Sequence, residues 1–190
     1  MSSSMHVRIP MERVGVLIGP NGSVKHEIER SLGVRLSINS KTGDVEIELE
    51  ENNPDPSAIL RARDVVLAIG RGFSPERAFR LLREEDAMLR IIDLREIFGR
   101  SKSDIVRVKG RIIGREGKTR RIIEELTGCY VSVYGHTVAI IGDMEQVQIA
   151  EEAIQMLIEG RMHSTVYRFL HRKKREMKRR RALELWEKPY

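Results

Sequence analysis

Two four-residue segments have the residue types and spacing to hold an anion: Gly19-Pro20-Asn21-Gly22 and Gly114-Arg115-Glu116-Gly117. Glycines let the backbone approach a ligand closely. A helix that begins at the second glycine brings N–H groups with no partner inside the helix, and such a helix start suits phosphate. The second segment stands among cations, with Arg111, Lys118, Arg120 and Arg121 beside Arg115. The first has only Lys25 close by, and Pro20 has no N–H to donate. The second segment is therefore expected to grip phosphate more strongly, with Glu116 turned to solvent.

Other chemistries lack their constellations. His6, His26, His136, His163 and His171 have no metal-like spacing with cysteine or carboxylates. Cys129 is the single cysteine, which excludes a disulfide framework, and it is expected to be a small buried residue. Gly117-Lys118-Thr119 superficially resembles the end of an NTP-binding loop, but Gly114 and Gly117 are too close together for one. Neither an enzyme nor a cofactor nor a metal is expected.

The chain has 190 residues, 34 basic and 28 acidic, for a formal charge of +6. With 41% apolar residues it can build a core. No stretch is long and apolar enough to span a bilayer, and the N-terminus lacks the order of a signal peptide, so a cytoplasmic protein without a membrane partner is expected. The positive charge is concentrated. Residues 161–190 hold 11 basic residues against 3 acidic ones, and Ser101–Arg121 forms a second excess. Clusters of this kind attract polyanions.

An internal repeat sets the elements that must position these loops. An offset of 95 residues pairs the two glycine segments, and also pairs Leu17-Ile18 with Ile112-Ile113, Ile28 with Ile123, Gly33 with Gly128 and Leu36-Ser37-Ile38 with Val131-Ser132-Val133. Downstream an offset of 88 pairs Ile59 with Val147, Ala62 with Ala150 and Ile69 with Leu157. Each copy reads β-α-α-β-β-α. The expected strands are His6–Pro10, Val34–Ile38 and Asp44–Glu50 in the first copy, and Ile105–Lys109, Tyr130–Tyr134 and Thr137–Ile141 in the second. Alternation of Val106 and Val108 suggests the opening strand of the second copy. Closing helices are expected at Ser57–Arg71 and Met144–Glu159. The fold class is α+β, two three-stranded antiparallel sheets with helices on one face of each. The expected division is a first domain over 1–72, a helical insert and joint over 73–102, a second domain over 103–160, and a basic helix over 161–190 capped by Ser164.

Leu-Ile-Gly-Pro-Asn-Gly and Ile-Ile-Gly-Arg-Glu-Gly, each inside that element order, resemble the signature of type I KH domains, which clamp about four nucleotides of single-stranded nucleic acid. The resemblance implies RNA-binding residues at Gly19, Pro20, Asn21, Gly22 and Lys25 in the first copy. In the second it implies Arg111, Ile113, Gly114, Arg115, Glu116, Gly117, Lys118 and Arg120. Bases would lie on an apolar floor of Val14, Ile18, Val24, Ile28 and Leu36, or of Arg111, Ile113, Ile122 and Val131, residues that serve a core equally well. Tyr130 and Tyr134 are candidates for stacking. Two KH copies with Gly110–Arg120 and a basic C-terminal helix resemble the archaeal Partner-of-Nob family of small-subunit assembly factors. This implies single-stranded rRNA near its 3′ end as ligand and an rRNA-trimming endonuclease, or another assembly or translation factor, as partner. The alternatives are a protein-interaction scaffold, in which both folds are platforms and the tail docks a partner, and an RNA-binding subunit of an RNA-processing or translation complex whose activity lies in a partner chain.

Overall fold

The computed structural model describes residues 4–187. In chain order the first copy is β1 (Ser4–Arg8), α1 (Met11–Ile18), α2 (Ser23–Leu32), β2 (Val34–Ile38), β3 (Asp44–Leu49) and α3 (Ala58–Gly70). Two short helices follow, α4 (Pro75–Ala78) and α5 (Arg80–Arg83). Ser74 caps α4, its side chain accepting from the Arg77 N–H, with Pro75 at the first helical position. The second copy is β4 (Met88–Asp93), α6 (Leu94–Phe98), α7 (Lys102–Ile113), α8 (Lys118–Thr127), β5 (Tyr130–Tyr134), β6 (Thr137–Gly142) and α9 (Met144–Ile158), followed by α10 (His163–Glu187). The sheets are antiparallel with orders β1-β3-β2 and β4-β6-β5. Val7, Val45 and Ile38 lie side by side in the first, as Ile92, Val138 and Val133 do in the second.

One expectation about the second copy is overturned. Ile105–Lys109 is not a strand but the middle of α7, and the opening strand is Met88–Asp93, which lay in the segment read as helical insert. A division at residue 103 would cut β4 from its sheet. Ile105, Val108 and Ile112 recur at helical spacing, and Val108 and Ile112 are fully buried. Val106, the residue that suggested alternation, is 68% exposed. Helix α10 begins at His163, so Ser164 lies inside its first turn rather than preceding it.

Strand β4 does not alternate simply, because both its faces carry packed apolar residues, with exposed Arg90 between Met88 and Ile92. Met88 and Ile92 pack with the second copy's own helices, while Leu89 and Ile91 pack into the first copy's core. The same is true of β6, buried at every residue: Val138 and Ile140 face one way, Ala139 and Ile141 the other. A strand covered on both faces reads as a continuous apolar run. What covers the outer face is α3, which is buried nearly all round because it lies between its own sheet and the second one. The corresponding outer face of the first sheet is polar, with His6, Arg8, Arg35 and Ser37 exposed and Glu46 and Glu48 beside them.

Polar contacts tie the copies together at the same seam. Arg80, 8% exposed, donates to the Gly128 carbonyl at 2.6 Å, to Gln146 at 2.9 Å and to Glu84 at 2.8 Å. It thereby satisfies a carbonyl at the C-terminal end of α8 that the helix leaves unpaired. Ser132 donates to the Arg71 carbonyl at 2.8 Å.

Candidate nucleic-acid interface

The two glycine turns have nearly the same backbone. Gly19 and Gly114 both have φ 72°, with ψ 175° and 176°. Asn21 and Glu116 take φ 55° and 54°, and Gly22 and Gly117 take φ 73° and 75°. The first glycine of each turn is in a region that side chains rarely enter. A Cβ there would also meet backbone: the Val24 nitrogen at 2.9 Å in the first copy and the Thr119 nitrogen at 2.8 Å in the second. Helices α2 and α8 start directly after these turns without a side-chain cap.

The turns differ in what they offer a ligand. In the second, Gly117 N–H donates to the Gly114 carbonyl at 3.2 Å and Lys118 N–H to that of Arg115. Among the described residues this leaves the amides of Arg115 and Glu116 outside the turn's own bonding. In the first, Gly22 and Ser23 donate in the same way, but residue 20 is proline. Only the Asn21 amide remains. Arg115, Glu116, Lys118 and Arg121 are exposed at the second turn, and Pro20 and Asn21 at the first, so Glu116 does face solvent.

The structure sorts the remaining expected residues. Arg111 gives its Nε to the Leu157 carbonyl at 3.1 Å and an Nη to the Arg161 carbonyl, closing the C-terminal end of α9. Arg13 does the same for α3, donating to the Ile69 and Phe73 carbonyls at 2.8 and 2.7 Å. These arginines hold helices, and Arg111 is not grouped with the cations facing the loop. Arg121 folds back onto the Glu116 carbonyl at 3.0 Å. Val14, Val24, Ile28, Leu36 and Val131 are buried side chains of the two cores, while Ile18, Ile113 and Ile122 are half-buried. Tyr130 lies under Arg77 and Arg80, with ring-to-guanidinium distances of 4.7 and 5.2 Å. The Tyr134 hydroxyl donates to Glu12, and both burial and that carboxylate raise its pKa. Both tyrosines belong to the seam between the copies. Thr119, buried, bonds to the Tyr167 hydroxyl at 2.9 Å, which fixes α10 against α8.

Two features were missed from the sequence. Glu29 and Glu124 each accept from an edge-strand amide, Leu36 N–H at 2.8 Å and Val131 N–H at 2.9 Å. Each is also paired with a cation one helical turn earlier, Lys25 at 3.9 Å and Arg120 at 3.1 Å. All three positions obey the 95-residue offset, so a fuller comparison of the copies would have found them. The other missed feature has no such signal. A cleft of about 400 Å³ runs along the second copy's groove, lined by Ile113, Arg120 and Val131–Val133 on one side and by Gly72–Ser74 and Arg77 of the first copy's connection on the other.

Residues 88–175 match the family model of the eukaryotic-type KH domain (KH-domain type I), and residues 4–68 match that of the KH domain. The chain is 52% identical to a KH domain-containing protein of Methanocaldococcus jannaschii, over 96% of this chain and 78% of that one. It is 30% identical to the pre-rRNA-processing protein PNO1 of Aspergillus fumigatus, over 92% and 69%. A crystal structure from Pyrococcus horikoshii, of a complex of a/eIF2alpha, aDim2p and rRNA, contains a chain with a TM-score of 0.86, 51% identity, and coverage of 92% of this chain and 96% of that one. The chain belongs to the Partner-of-Nob (PNO1/Dim2) family. Its type I KH folds, α+β with a three-stranded sheet in each, agree with the reading of the sequence. The second family match begins at residue 88, where β4 begins. It runs past α9 into α10, so in this family the start of the C-terminal helix goes with the second fold.

Proposed function

We propose that this Partner-of-Nob family protein binds single-stranded rRNA near the 3′ end of the small subunit during ribosome assembly, in the cytoplasm and without catalysis of its own. The observation that carries this reading is the second glycine turn. Two backbone amides, at Arg115 and Glu116, lie outside the turn's bonding, beside exposed Arg115 and Lys118. A phosphate can settle on those amides at the start of α8. Gly114, Arg115, Gly117, Lys118 and Arg120 form the backbone-gripping set, with Ile113 on the floor. Base identity is read by hydrogen bonds at the groove's edge. The first copy, with one available amide and Lys25 as its nearest cation, contributes less through Gly19–Gly22. An rRNA-trimming endonuclease, or a translation or assembly factor, is the partner that this class of protein would serve. The second unit is best drawn from about residue 88.

The double variant Arg115→Asp/Glu116→Asp tests the reading. Aspartate tolerates the positive φ of residue 116, so the turn is kept while charge is reversed. Binding of a fluorescein-labelled single-stranded RNA matching the 3′ end of small-subunit rRNA is followed by anisotropy over a salt series. Affinity should fall, and the slope of log affinity against log salt should become shallower by about 0.7 for the lost phosphate contact. Unchanged affinity in the folded variant would defeat the proposal. The same change at Pro20 and Asn21 should cost less; a greater loss there would reverse the ranking of the two copies.

A further inference from the structure

The cleft beside the second glycine turn is not made by the second copy alone. On one side are Ile113, at the end of α7, Arg120 on α8, and the free edge of β5 at Val131–Val133. The hairpin that follows β5 turns in two residues, Gly135 and His136, too few to wall the groove from the far side. The opposite wall comes instead from residues 72–74, between α3 and α4, and from Arg77 on α4. This wall is fixed close. A Cβ at Gly72 would lie 2.7 Å from the Ser132 Oγ and 2.9 Å from the Tyr134 Cβ.

Arg77 is held ready on this wall. One Nη donates to Glu124 at 2.6 Å, and the guanidinium stands over the Tyr130 ring. Its side chain is nevertheless 39% exposed. A guanidinium has five N–H donors, and one salt bridge leaves most of them for another acceptor. Arg77 and Arg120 share the single carboxylate of Glu124, so this end of the cleft carries a net positive charge. An electropositive cleft with a strand edge along one wall fits a nucleic-acid strand.

We propose that the connection Gly72–Arg77 is the second wall of the nucleotide groove of the second KH fold, and that Arg77 contacts the RNA strand lying there. This rests on the proposed reading of the Gly114–Gly117 turn. It means that the first copy takes part in RNA binding through its connection to the second, whatever its own glycine turn does.

Ser74 supplies the test. It is exposed, lines the cleft and caps α4 through its side chain. Aspartate and asparagine cap helices as well as serine does. Ser74→Asp therefore keeps the fold and puts a carboxylate in the wall, where it repels phosphate or neutralises Arg77; Ser74→Asn keeps the fold without the charge. The full chain and the same labelled rRNA 3′-end oligonucleotide are used. Ser74→Asp should weaken binding about fivefold, the order of one screened charge interaction near a surface, with the melting temperature unchanged. Ser74→Asn, which adds bulk but no charge, should lose clearly less affinity than Ser74→Asp. If Ser74→Asp binds normally while Arg115→Asp/Glu116→Asp does not, the second wall is refuted and the turn stands. Equal loss in both Ser74 variants also refutes it, because charge is then not the cause. If neither Ser74→Asp nor the double variant weakens binding, the turn itself is not the RNA site.

Discussion

Replacing Gly114 and Gly117 separately by alanine should give very unequal results, although both are glycines of one turn. Gly117 has φ 75° and ψ 15°, and a Cβ there would meet nothing closer than an Arg120 Nη at 4.0 Å. Alanine pays only for the left-handed backbone, about 1 kcal/mol. Gly114 has φ 72° and ψ 176°, a combination nearly confined to glycine, and costs about 1–3 kcal/mol on that account. Its Cβ would in addition lie 2.8 Å from the Thr119 nitrogen and against the Thr119 side chain, which is itself pinned by Tyr167. Overpacking against such a neighbour adds about 1–3 kcal/mol. The total for Gly114→Ala is about 2–6 kcal/mol, against about 1 for Gly117→Ala. Urea titrations of the two full-length variants, followed by far-UV circular dichroism, measure the difference. Gly114→Ala should also bind RNA more weakly than Gly117→Ala, because relieving the overlap displaces the start of α8. Equal stabilities, or a less stable Gly117→Ala, would refute the account of the turn as closed over Thr119.

Two further outcomes follow from the packing. Burial pushes the Cys129 thiol up to about 11. It should resist iodoacetamide in the native protein at pH 8–9 and react once urea unfolds the chain. The unfolded thiol ionises near its ordinary value while the folded one keeps its proton, so stability should fall as pH rises through about 9–11; a native protein alkylated as fast as the unfolded one would contradict this. Arg80→Ala should destabilise the chain by about 1–3 kcal/mol, because it removes the partner of the Gly128 carbonyl and of Glu84 at the seam and leaves Gln146 Oε1 with the Asp143 N–H alone. A loss below about 0.5 kcal/mol, typical of a surface site, would show that the seam does not depend on that side chain.

Much of this molecule can be read from its residues, and several of the failures trace to the seam. The first copy follows simple rules, since its sheet has one dry face and one wet face and its strands alternate accordingly. Both glycine turns and their unequal charge are visible because a backbone need dictates glycine at fixed spacing. Strand β4 is invisible to a search for alternation because Leu89 and Ile91 answer to the first copy's core rather than to solvent. The helix α7 imitates a strand over five residues because Val106 is an exposed valine. Arg111 counts as a loop cation in the sequence, but its helix turns it toward the carbonyls at the end of α9. Arg77 and Ser74 cannot be assigned to a groove made by residues some 40 to 60 positions away until tertiary structure brings the walls together. Glu29 and Glu124 were legible, given a comparison of every polar position in the repeat.

The two outer sheet faces have parted company since the repeat arose. Where the first sheet has His6, Glu46 and Glu48, the matching places in the second have Ile91, Ala139 and Ile141. Neither half is thus complete without the other. The later half, expressed by itself, would expose a greasy surface prone to self-association, whereas the earlier half would lose the cover over α3. The two glycine turns consequently sit on one packed unit and keep a set spacing rather than swinging on a tether.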